Sequence, residues 1–259
     1  MQSIGFIGTG TITQHMVRGL KASALAEMQI ILSPRNPAVA QQLSEALPGV
    51  QIAADNQDVL DRADLILLAV RPQAAAEVIR PLTFAPHKPV ISLIATLPIA
   101  QIHGWTAANQ ICRAIPLPFV ERRTGVTPVF PPLPEAMRIF DALGHALAVS
   151  DSAAFDSYAA ASAIMGTYFG LVESASIWMQ AQGIAEPDAG VYLRALFADL
   201  GTTLLNHPQS PAELRIAHST KGGLNEQLYR VFQTSGGTAA LNAGLSAVLA
   251  RIGDKPLGR

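Results

Sequence analysis

The feature that most constrains this chain is a glycine-rich turn that directly follows a short apolar segment near its beginning. Ser3-Ile-Gly-Phe-Ile7 is typical of a buried strand, and Gly8-Thr-Gly-Thr-Ile-Thr13 follows it at once. A helical segment is then predicted from His15 to about Ala24. This order of strand, turn and helix lets a pyrophosphate approach bare backbone at a helix N-terminus, which predicts a dinucleotide-binding turn. The predicted cofactor-binding residues of the turn are Gly8, Gly10, Thr11 and Ile12.

The third position of this fingerprint departs from the usual pattern. Thr13 stands where glycine or alanine lets the helix pack closely on the strand, so we expect its branched side chain to push the helix slightly outward. The alternative is that Gly8 and Gly10 only close a tight strand-to-helix turn.

The composition is that of an ordinary globular protein. Of its 259 residues 49% are hydrophobic and 14% are charged, enough to bury a large core and to leave helical surface for another subunit to cover. The net charge of −1 and the absence of a run of Lys and Arg disfavour nucleic acid as a partner. No apolar stretch reaches the roughly 18 residues of a membrane span, so no membrane association is expected.

The cysteine and histidine content argues against an intrachain disulfide and against a metal site. The single cysteine, Cys112, cannot form an intrachain disulfide, and the chain enters its first strand without a charged leader and apolar segment, so we expect a cytoplasmic protein. Cys112 lies in an apolar run, where a small buried side chain is expected instead of a nucleophile. No metal site is predicted, because the following histidines are scattered: His87, His103, His145 and His207.

Strand-like and helical segments alternate through the first part of the chain. This pattern predicts an α/β fold, an N-terminal Rossmann-type doubly wound parallel sheet over residues 1–150. From about Asp151 the chain becomes rich in Ala, Leu and Met at helical spacing, which predicts an all-helical C-terminal domain over residues 151–259, for dimerisation and substrate binding. The predicted strands are 3–7, 28–33, 50–53, 65–70, 90–94, 110–114 and 126–130, and residues 128–134 are interpreted as a loop. The predicted C-terminal helices are 152–182, 187–206, 210–217 and 224–251.

The end of the second strand favours NADP over NAD, although NAD remains possible. An acidic residue that would bind the ribose 2′-hydroxyl is missing there, and Ser33-Pro-Arg-Asn36 stands in its place. The Ser33 hydroxyl and the Arg35 guanidinium can both bind a 2′-phosphate. Arg35 as an ordinary exposed loop residue is the alternative.

Other strands are predicted to end at the same edge of the sheet, where doubly wound folds bind ligands. Pro72 forces a turn directly after the fourth strand, which places Arg71 and Gln73 over the cofactor. The predicted cofactor-binding residues at these strand ends are Val70, Arg71, Pro72, Gln73, Ala95, Thr96 and Pro116.

Taken in order, these motifs resemble those of pyrroline-5-carboxylate reductases, which reduce a cyclic imine to proline with NAD(P)H. The family's opening Gly-Phe-Ile-Gly-x-Gly-x-Met-Ala is similar to residues 5–13, and its Val-Lys-Pro-Gln to Val70-Arg-Pro-Gln73. Its Arg-x-Met-Pro is similar to Arg113-Ala-Ile-Pro116, and its Glu-Gly-Val-Thr to Thr124-Gly-Val-Thr127. The resemblance covers essentially the whole chain and implies an enzyme of proline biosynthesis that assembles as a homodimer or a higher homo-oligomer.

The most specific similarity lies near the C-terminus. The family's Pro-Ala-Glu-Leu-Arg matches Pro211-Ala-Glu-Leu-Arg215, and its Thr-Ser-Pro-Gly-Gly-Thr-Thr is similar to Ser219-Thr-Lys-Gly-Gly-Leu-Asn225. The resemblance implies that backbone amides at this glycine turn hold the substrate carboxylate and that the final side chain faces the imine. Its implied catalytic residues are Asn225 and Thr220, and its implied substrate-binding residues are Ser219, Lys221, Gly222, Gly223 and Tyr168.

Several of these residues have plainer interpretations. Gly222 and Gly223 also suit the end of one helix and the start of the next, Lys221 suits a solvated side chain, and His218 suits a helix cap. The family's Ser-Gly-Ser-Gly-Pro-Ala-Tyr corresponds to residues 162–168, its Met-Pro-Asn-Thr-Pro to 115–119, and its Ile-Ala-Ala-Gly to 93–96, each with bulkier apolar residues here. The alternatives to a pyrroline-5-carboxylate reductase are a related NADP-dependent oxidoreductase acting on another small imine or keto acid, a hydroxyacid or F420-type oxidoreductase, and a non-catalytic NADP-binding protein.

Overall fold

The chain divides into two compact units in a computed structural model that describes residues 2–253. One unit comprises the chain up to Ala160 together with the described residues from Leu249 onward, and the other comprises Ala161–Val248. The first unit contains the whole β-sheet, and the second is helical.

One eight-stranded sheet organises the first unit, with the strand order β3-β2-β1-β4-β5-β6-β7-β8. Neighbouring strands run parallel except β6 and β7, which are antiparallel. The predicted doubly wound α/β fold is therefore confirmed, with one antiparallel pair that the sequence does not predict. The strands are β1 Ser3–Ile7, β2 Gln29–Leu32, β3 Val50–Ile52, β4 Leu65–Leu68, β5 Val90–Ser92, β6 Ile111–Ala114, β7 Val126–Phe130 and β8 His145–Ala148.

The central strands are apolar throughout because both faces of the sheet are covered. Along β4, Leu65 and Leu67 face one core while Ile66 and Leu68 face the other. The helices α1, α2 and α6 contribute to the first core, and α3, α4 and α5 contribute to the second. These helices are α1 Thr11–Lys21, α2 Pro37–Ala46, α3 Asn56–Arg62, α4 Pro72–Ile79, α5 Ile99–Thr106 and α6 Pro134–Ala142, with a 3₁₀ helix at Pro118–Arg122.

Three elements of this unit differ from the sequence-based prediction. The helix α1 begins at Thr11 and not at His15, because Gly10 is its N-cap and the Gln14 amide donates to the Gly10 carbonyl at 3.1 Å. The strand predicted over 126–130 is confirmed as β7, so the overlapping loop predicted over 128–134 is wrong in its first part. The short strand β8 at the sheet edge is a further element, and its sequence, His145-Ala-Leu-Ala148, lacks the β-branched apolar run typical of the predicted strands.

The remaining helices follow one another to the end of the described chain. The predicted helix over 152–182 is two helices, because the chain makes a turn at Ala163, and the predicted helix over 224–251 is interrupted at Gly236, whose φ of +86° is left-handed. The helices are α7 Ser152–Ser162, α8 Ile164–Ala181, α9 Glu186–Asn206, α10 Pro211–Ala217, α11 Leu224–Thr234 and α12 Gly237–Gly253. Among residues 2–253, no helix combines the length and the apolar character needed to cross a membrane.

Candidate functional site

The glycine turn after β1 is built as a phosphate-binding turn requires. Gly8 has a φ of +104°, and a Cβ on it would lie 2.6 Å from the Ala69 carbonyl oxygen, so only glycine fits there. A Cβ on Gly10, in contrast, would meet no protein atom within 4 Å. The bare backbone at Gly10 and the N-terminal amides of α1 therefore face open space, which is where an anion binds a helix N-terminus.

Thr13 ties the start of α1 to this turn through a side-chain hydrogen bond, and the outward shift of α1 stays a prediction. Its side chain is fully buried, and its hydroxyl donates to the Gly8 carbonyl at 2.8 Å. The hydroxyl thus satisfies a carbonyl that the left-handed turn leaves without a helical partner. Glycine or alanine at this position would lack the hydroxyl that makes this hydrogen bond.

The end of β2 is tied to the same turn by side-chain hydrogen bonds. The Thr9 hydroxyl donates to the Ser33 carbonyl at 2.7 Å, and the Asn36 side-chain amide donates to the Thr9 carbonyl at 3.2 Å. The Ser33 side chain is fully buried, and its hydroxyl donates to Asn56 Oδ1 at 2.7 Å, whereas Arg35 is exposed. The 2′-phosphate role of Ser33 and Arg35 stays a prediction, and the structure adds Asn56, a polar residue at the first position of α3 that sequence reasoning missed.

The register of the sheet aligns the carboxyl ends of the central strands. Ile7 pairs with Leu68, and Leu68 pairs with Ser92, so β1, β4 and β5 end side by side. Val70 is half-buried just beyond β4, Arg71 is the N-cap of α4, and Pro72 begins that helix. Among the predicted cofactor-binding residues, Arg71, Pro72 and Gln73 are exposed. Ala95 and Thr96 are half-buried, and Pro116 is buried.

A buried cation, Arg113, lies near the end of β6, and the sequence names it only as the first residue of the Arg113-Ala-Ile-Pro116 motif. Arg113 is only 4% exposed, its guanidinium lies 2.9 Å from Asp156 Oδ1 and hydrogen-bonds the Ala95 carbonyl, and it stacks over the Phe155 ring at 4.4 Å. Burial lowers the pKa of Arg113, and the Asp156 carboxylate partly offsets this effect. The cation therefore ties the loop after β5, which contains the predicted residues Ala95 and Thr96, to α7.

The second glycine turn lies in the helical unit, between α10 and α11. Gly222 has a φ of +73°, Gly223 is the N-cap of α11, and the Gly223 amide donates to the Thr220 carbonyl at 2.8 Å. The Gly222 amide donates to Glu226 Oε2 at 2.5 Å. Both glycine amides predicted to hold a substrate carboxylate thus have partners within the chain, and their substrate role stays a prediction.

The side chains around this turn have separate environments. Asn225 donates from its side-chain amide to the His218 carbonyl at 2.6 Å, and Ser219 is half-buried while Thr220 and Lys221 are exposed. His218 also caps α10, because its Nδ1 lies 2.8 Å from the Leu214 carbonyl oxygen. The Pro211-Ala-Glu-Leu-Arg215 segment forms α10, which begins with a capping box between Ser210 and Glu213.

Tyr168 lies on α8 with its ring in edge-to-face contact with two aromatic residues. The centroids of Phe169 and Phe197 are each 5.4 Å from that of Tyr168, whose side chain stays 39% exposed. The ring is therefore fixed by packing while part of it remains accessible, and its substrate role stays a prediction. Within residues 2–253, no three His, Cys, Asp or Glu side chains cluster in a way that could hold a metal ion.

The comparisons with known proteins place the sheet unit in a class. Residues 3–96 match the family described as NADP oxidoreductase, coenzyme F420-dependent. These residues contain the glycine turn and the ends of β2, β4 and β5. This match, which covers 94 of the 259 residues, supports an NADP-dependent oxidoreductase.

Relatives and solved structures extend the similarity to the whole chain. The chain is 25% identical over 260 residues to a pyrroline-5-carboxylate reductase of Pseudomonas aeruginosa, covering 96% of this chain and 94% of that protein. A 1-pyrroline-5-carboxylate reductase from Streptococcus pyogenes has the same fold, with a TM-score of 0.84, 22% identity and coverage of 96% of this chain and 97% of that one. A Plasmodium falciparum pyrroline carboxylate reductase solved with NADP bound gives a TM-score of 0.80 at 15% identity, covering 96% of each chain. The resemblance seen in the motifs is confirmed, and the chain is a divergent relative of the pyrroline-5-carboxylate reductases.

Proposed function

We propose that this protein reduces a cyclic imine carboxylate with NADPH by hydride transfer, with pyrroline-5-carboxylate as substrate and proline as product. The observation that carries the proposal is the similarity to a pyrroline-5-carboxylate reductase over 96% of the chain. The geometry of the first turn supports the proposal independently. Gly8 allows the left-handed turn of the backbone, and Gly10 leaves open space in which a phosphate can approach the backbone.

The residues of the sheet unit fit NADPH. The amides of Thr11 and Ile12 at the start of α1 would hold the pyrophosphate, with Gly10 allowing its close approach. The exposed guanidinium of Arg35 suits a 2′-phosphate, and Ser33 and Asn56 fix the shape of that corner through their hydrogen bond. Arg71 and Gln73 would cover the cofactor from the end of β4, while Ala95, Thr96 and Pro116 would shape the nicotinamide end.

The chemistry requires little of the side chains beyond position. Bound NADPH would supply the hydride for the imine carbon, and the imine nitrogen would keep the proton with which it arrives. Asn225 and Thr220 would orient the imine nitrogen through hydrogen bonds. Ser219, Lys221, Gly222, Gly223 and Tyr168 would bind the remainder of the substrate, with backbone amides at the helix start holding its carboxylate.

Assembly as a homodimer or a higher homo-oligomer belongs to the same proposal. The helical unit exposes large apolar side chains of a kind that a subunit interface covers. The most exposed of them, each at 65–84% exposure, are Phe169, Trp178, Val191, Leu205, Leu224 and Leu228. Light scattering of the purified protein should give the mass of at least two chains, and a monomer would contradict this part of the proposal. A cytoplasmic location is likewise proposed, and the single buried cysteine supports it.

The decisive experiment is a reductase assay on purified protein. With NADPH and pyrroline-5-carboxylate, NADPH absorbance should fall and proline should form in equal amount. A panel of other cyclic imines and of keto acids, tested in parallel, separates this reaction from that of a related oxidoreductase. Tight NADPH binding with no turnover of any compound would instead identify a non-catalytic NADP-binding protein.

A further inference from the structure

The turn before α11 already holds a carboxylate that belongs to the chain itself. The Glu226 side chain, in the first turn of α11, accepts a hydrogen bond from the Gly222 amide at 2.5 Å. The Gly223 amide is engaged with the Thr220 carbonyl. An anion that binds at this turn therefore finds the Gly223 amide hydrogen-bonded to the Thr220 carbonyl and the Gly222 amide hydrogen-bonded to the Glu226 carboxylate.

Two carboxylates compete for the single hydrogen of the Gly222 amide, because sharing it weakens the hydrogen bond to each. The Glu226 carboxylate and a substrate carboxylate at the same amide would also repel each other, since close unit charges interact appreciably even near solvent. The Glu226 side chain is exposed, so it can rotate into water when another carboxylate takes its place. The Leu224 and Asn225 amides lie at the start of α11, where helix geometry leaves the amides without intrahelical partners, and they remain as further donors.

We propose that Glu226 is a specificity-determining residue that competes with the substrate carboxylate for the Gly222 amide. This inference rests on the proposed function and adds to it a residue that weakens substrate binding without taking part in hydride transfer. Displacement of the Glu226 carboxylate costs binding free energy only for substrates that carry a carboxylate. An imine without that group leaves the Glu226 contact in place.

A purely structural role for Glu226 predicts a different outcome. If the side chain only stabilises the start of α11, its loss changes the stability of the helix and affects all substrates alike. The kinetic test is therefore a comparison of two imines that differ only in the carboxylate, pyrroline-5-carboxylate and 1-pyrroline. Glu186→Gln is the matched control, since Glu186 is also an exposed acid in the first turn of a helix of the same unit.

The experiment measures KM and kcat of the full chain with saturating NADPH for the wild type and for Glu226→Gln, Glu226→Ala and Glu186→Gln. For pyrroline-5-carboxylate we expect KM to fall about three- to tenfold in both Glu226 variants, as the loss of a charged competitor predicts, with kcat unchanged. For 1-pyrroline KM should not fall. Glu186→Gln should behave as the wild type with both imines, and circular dichroism checks that each variant is folded.

Failure of this inference is distinguishable from failure of the proposed function. A wild type that reduces pyrroline-5-carboxylate, with Glu226 variants whose KM is unchanged or raised, retains the function and overturns the competition. A wild type that reduces neither imine contradicts the function, and calorimetric titration of the NADP-saturated protein with proline then decides the inference. Tighter proline binding by Glu226→Gln than by the wild type supports the competition, and equal, weaker or undetectable binding overturns it.

Discussion

The Arg113 guanidinium lies 2.9 Å from Asp156 Oδ1, and this contact ties the end of β6 to α7. Arg113 is buried, Asp156 is 22% exposed, and the same guanidinium hydrogen-bonds the Ala95 carbonyl in the loop after β5. A cation held in this way keeps a backbone segment of the proposed nicotinamide end in one conformation.

Removal of the carboxylate should leave the buried cation uncompensated. Because breaking a buried ion pair from one side is strongly destabilising, Asp156→Asn should lower the free energy of unfolding by about 2–4 kcal/mol, measured by urea denaturation. Asp61→Asn, which changes an exposed carboxylate on α3, is the control and should have little effect. Equal stabilities of the wild type and Asp156→Asn would show that the ion pair contributes nothing to the fold.

Alanine substitutions at the two glycines of the first turn should have different effects, one on thermal stability and the other on NADPH binding. Gly8→Ala introduces a side chain at positive φ and against the Ala69 carbonyl, so it should lower Tm markedly. Gly10→Ala meets no protein atom and should keep Tm, while its methyl group hinders the pyrophosphate and raises the Kd for NADPH by at least about tenfold. Thermal unfolding without cofactor and fluorescence titration with NADPH measure the two effects. An unchanged Kd in folded Gly10→Ala would exclude phosphate binding at this turn.

The preference for NADPH should depend on Arg35. Arg35→Gln removes the positive charge from an exposed side chain at the end of β2 and should raise the Kd for NADPH by about tenfold, as loss of a charge-assisted hydrogen bond predicts. The Kd for NADH, which lacks the 2′-phosphate, should stay the same. Equal affinities of the wild type for NADPH and NADH would contradict the 2′-phosphate role.

The fold could be predicted from the sequence because its signals are local. The strand β1, the glycine turn and α1 lie in one short segment, where apolar residues, turn glycines and helical spacing each indicate the same structure. The antiparallel course of β7 could not be predicted from an apolar pattern, which does not encode strand direction. It follows from the connection, since the chain passes from β6 to β7 through the 3₁₀ helix Pro118–Arg122, without the α-helical crossover typical of parallel neighbours.

Two contacts described above, those of Glu226 and Arg113, were not predicted from the sequence. The bond between the Gly222 amide and Glu226 and the burial of Arg113 depend on the local path of the backbone and on pairing across the sheet. A charged residue in an apolar strand such as Ile111–Ala114 is a signal that could have identified Arg113 as a buried, paired cation. For Glu226, an acid three residues after a glycine N-cap was the available signal, typical of a capping interaction.

The last prediction concerns Cys112, which is fully buried in β6. Burial, and to a smaller extent the charge of Glu135, raises the pKa of its thiol from an ordinary 9.0 to about 12. Between these values the folded chain keeps a proton that the unfolded chain loses, so the contribution of this site to stability falls as pH rises above 9.0.

Cys112→Ala removes that titration and so isolates it from other groups that titrate at high pH. The free energy of unfolding of the wild type, minus that of Cys112→Ala, should fall by about 1.4 kcal/mol per pH unit above the ordinary thiol pKa. Denaturant titrations at a series of pH values between the two pKa values measure this slope, and a difference independent of pH would contradict the raised pKa. At neutral pH the same burial should make the native thiol react far more slowly with a thiol reagent than the thiol of the urea-unfolded chain.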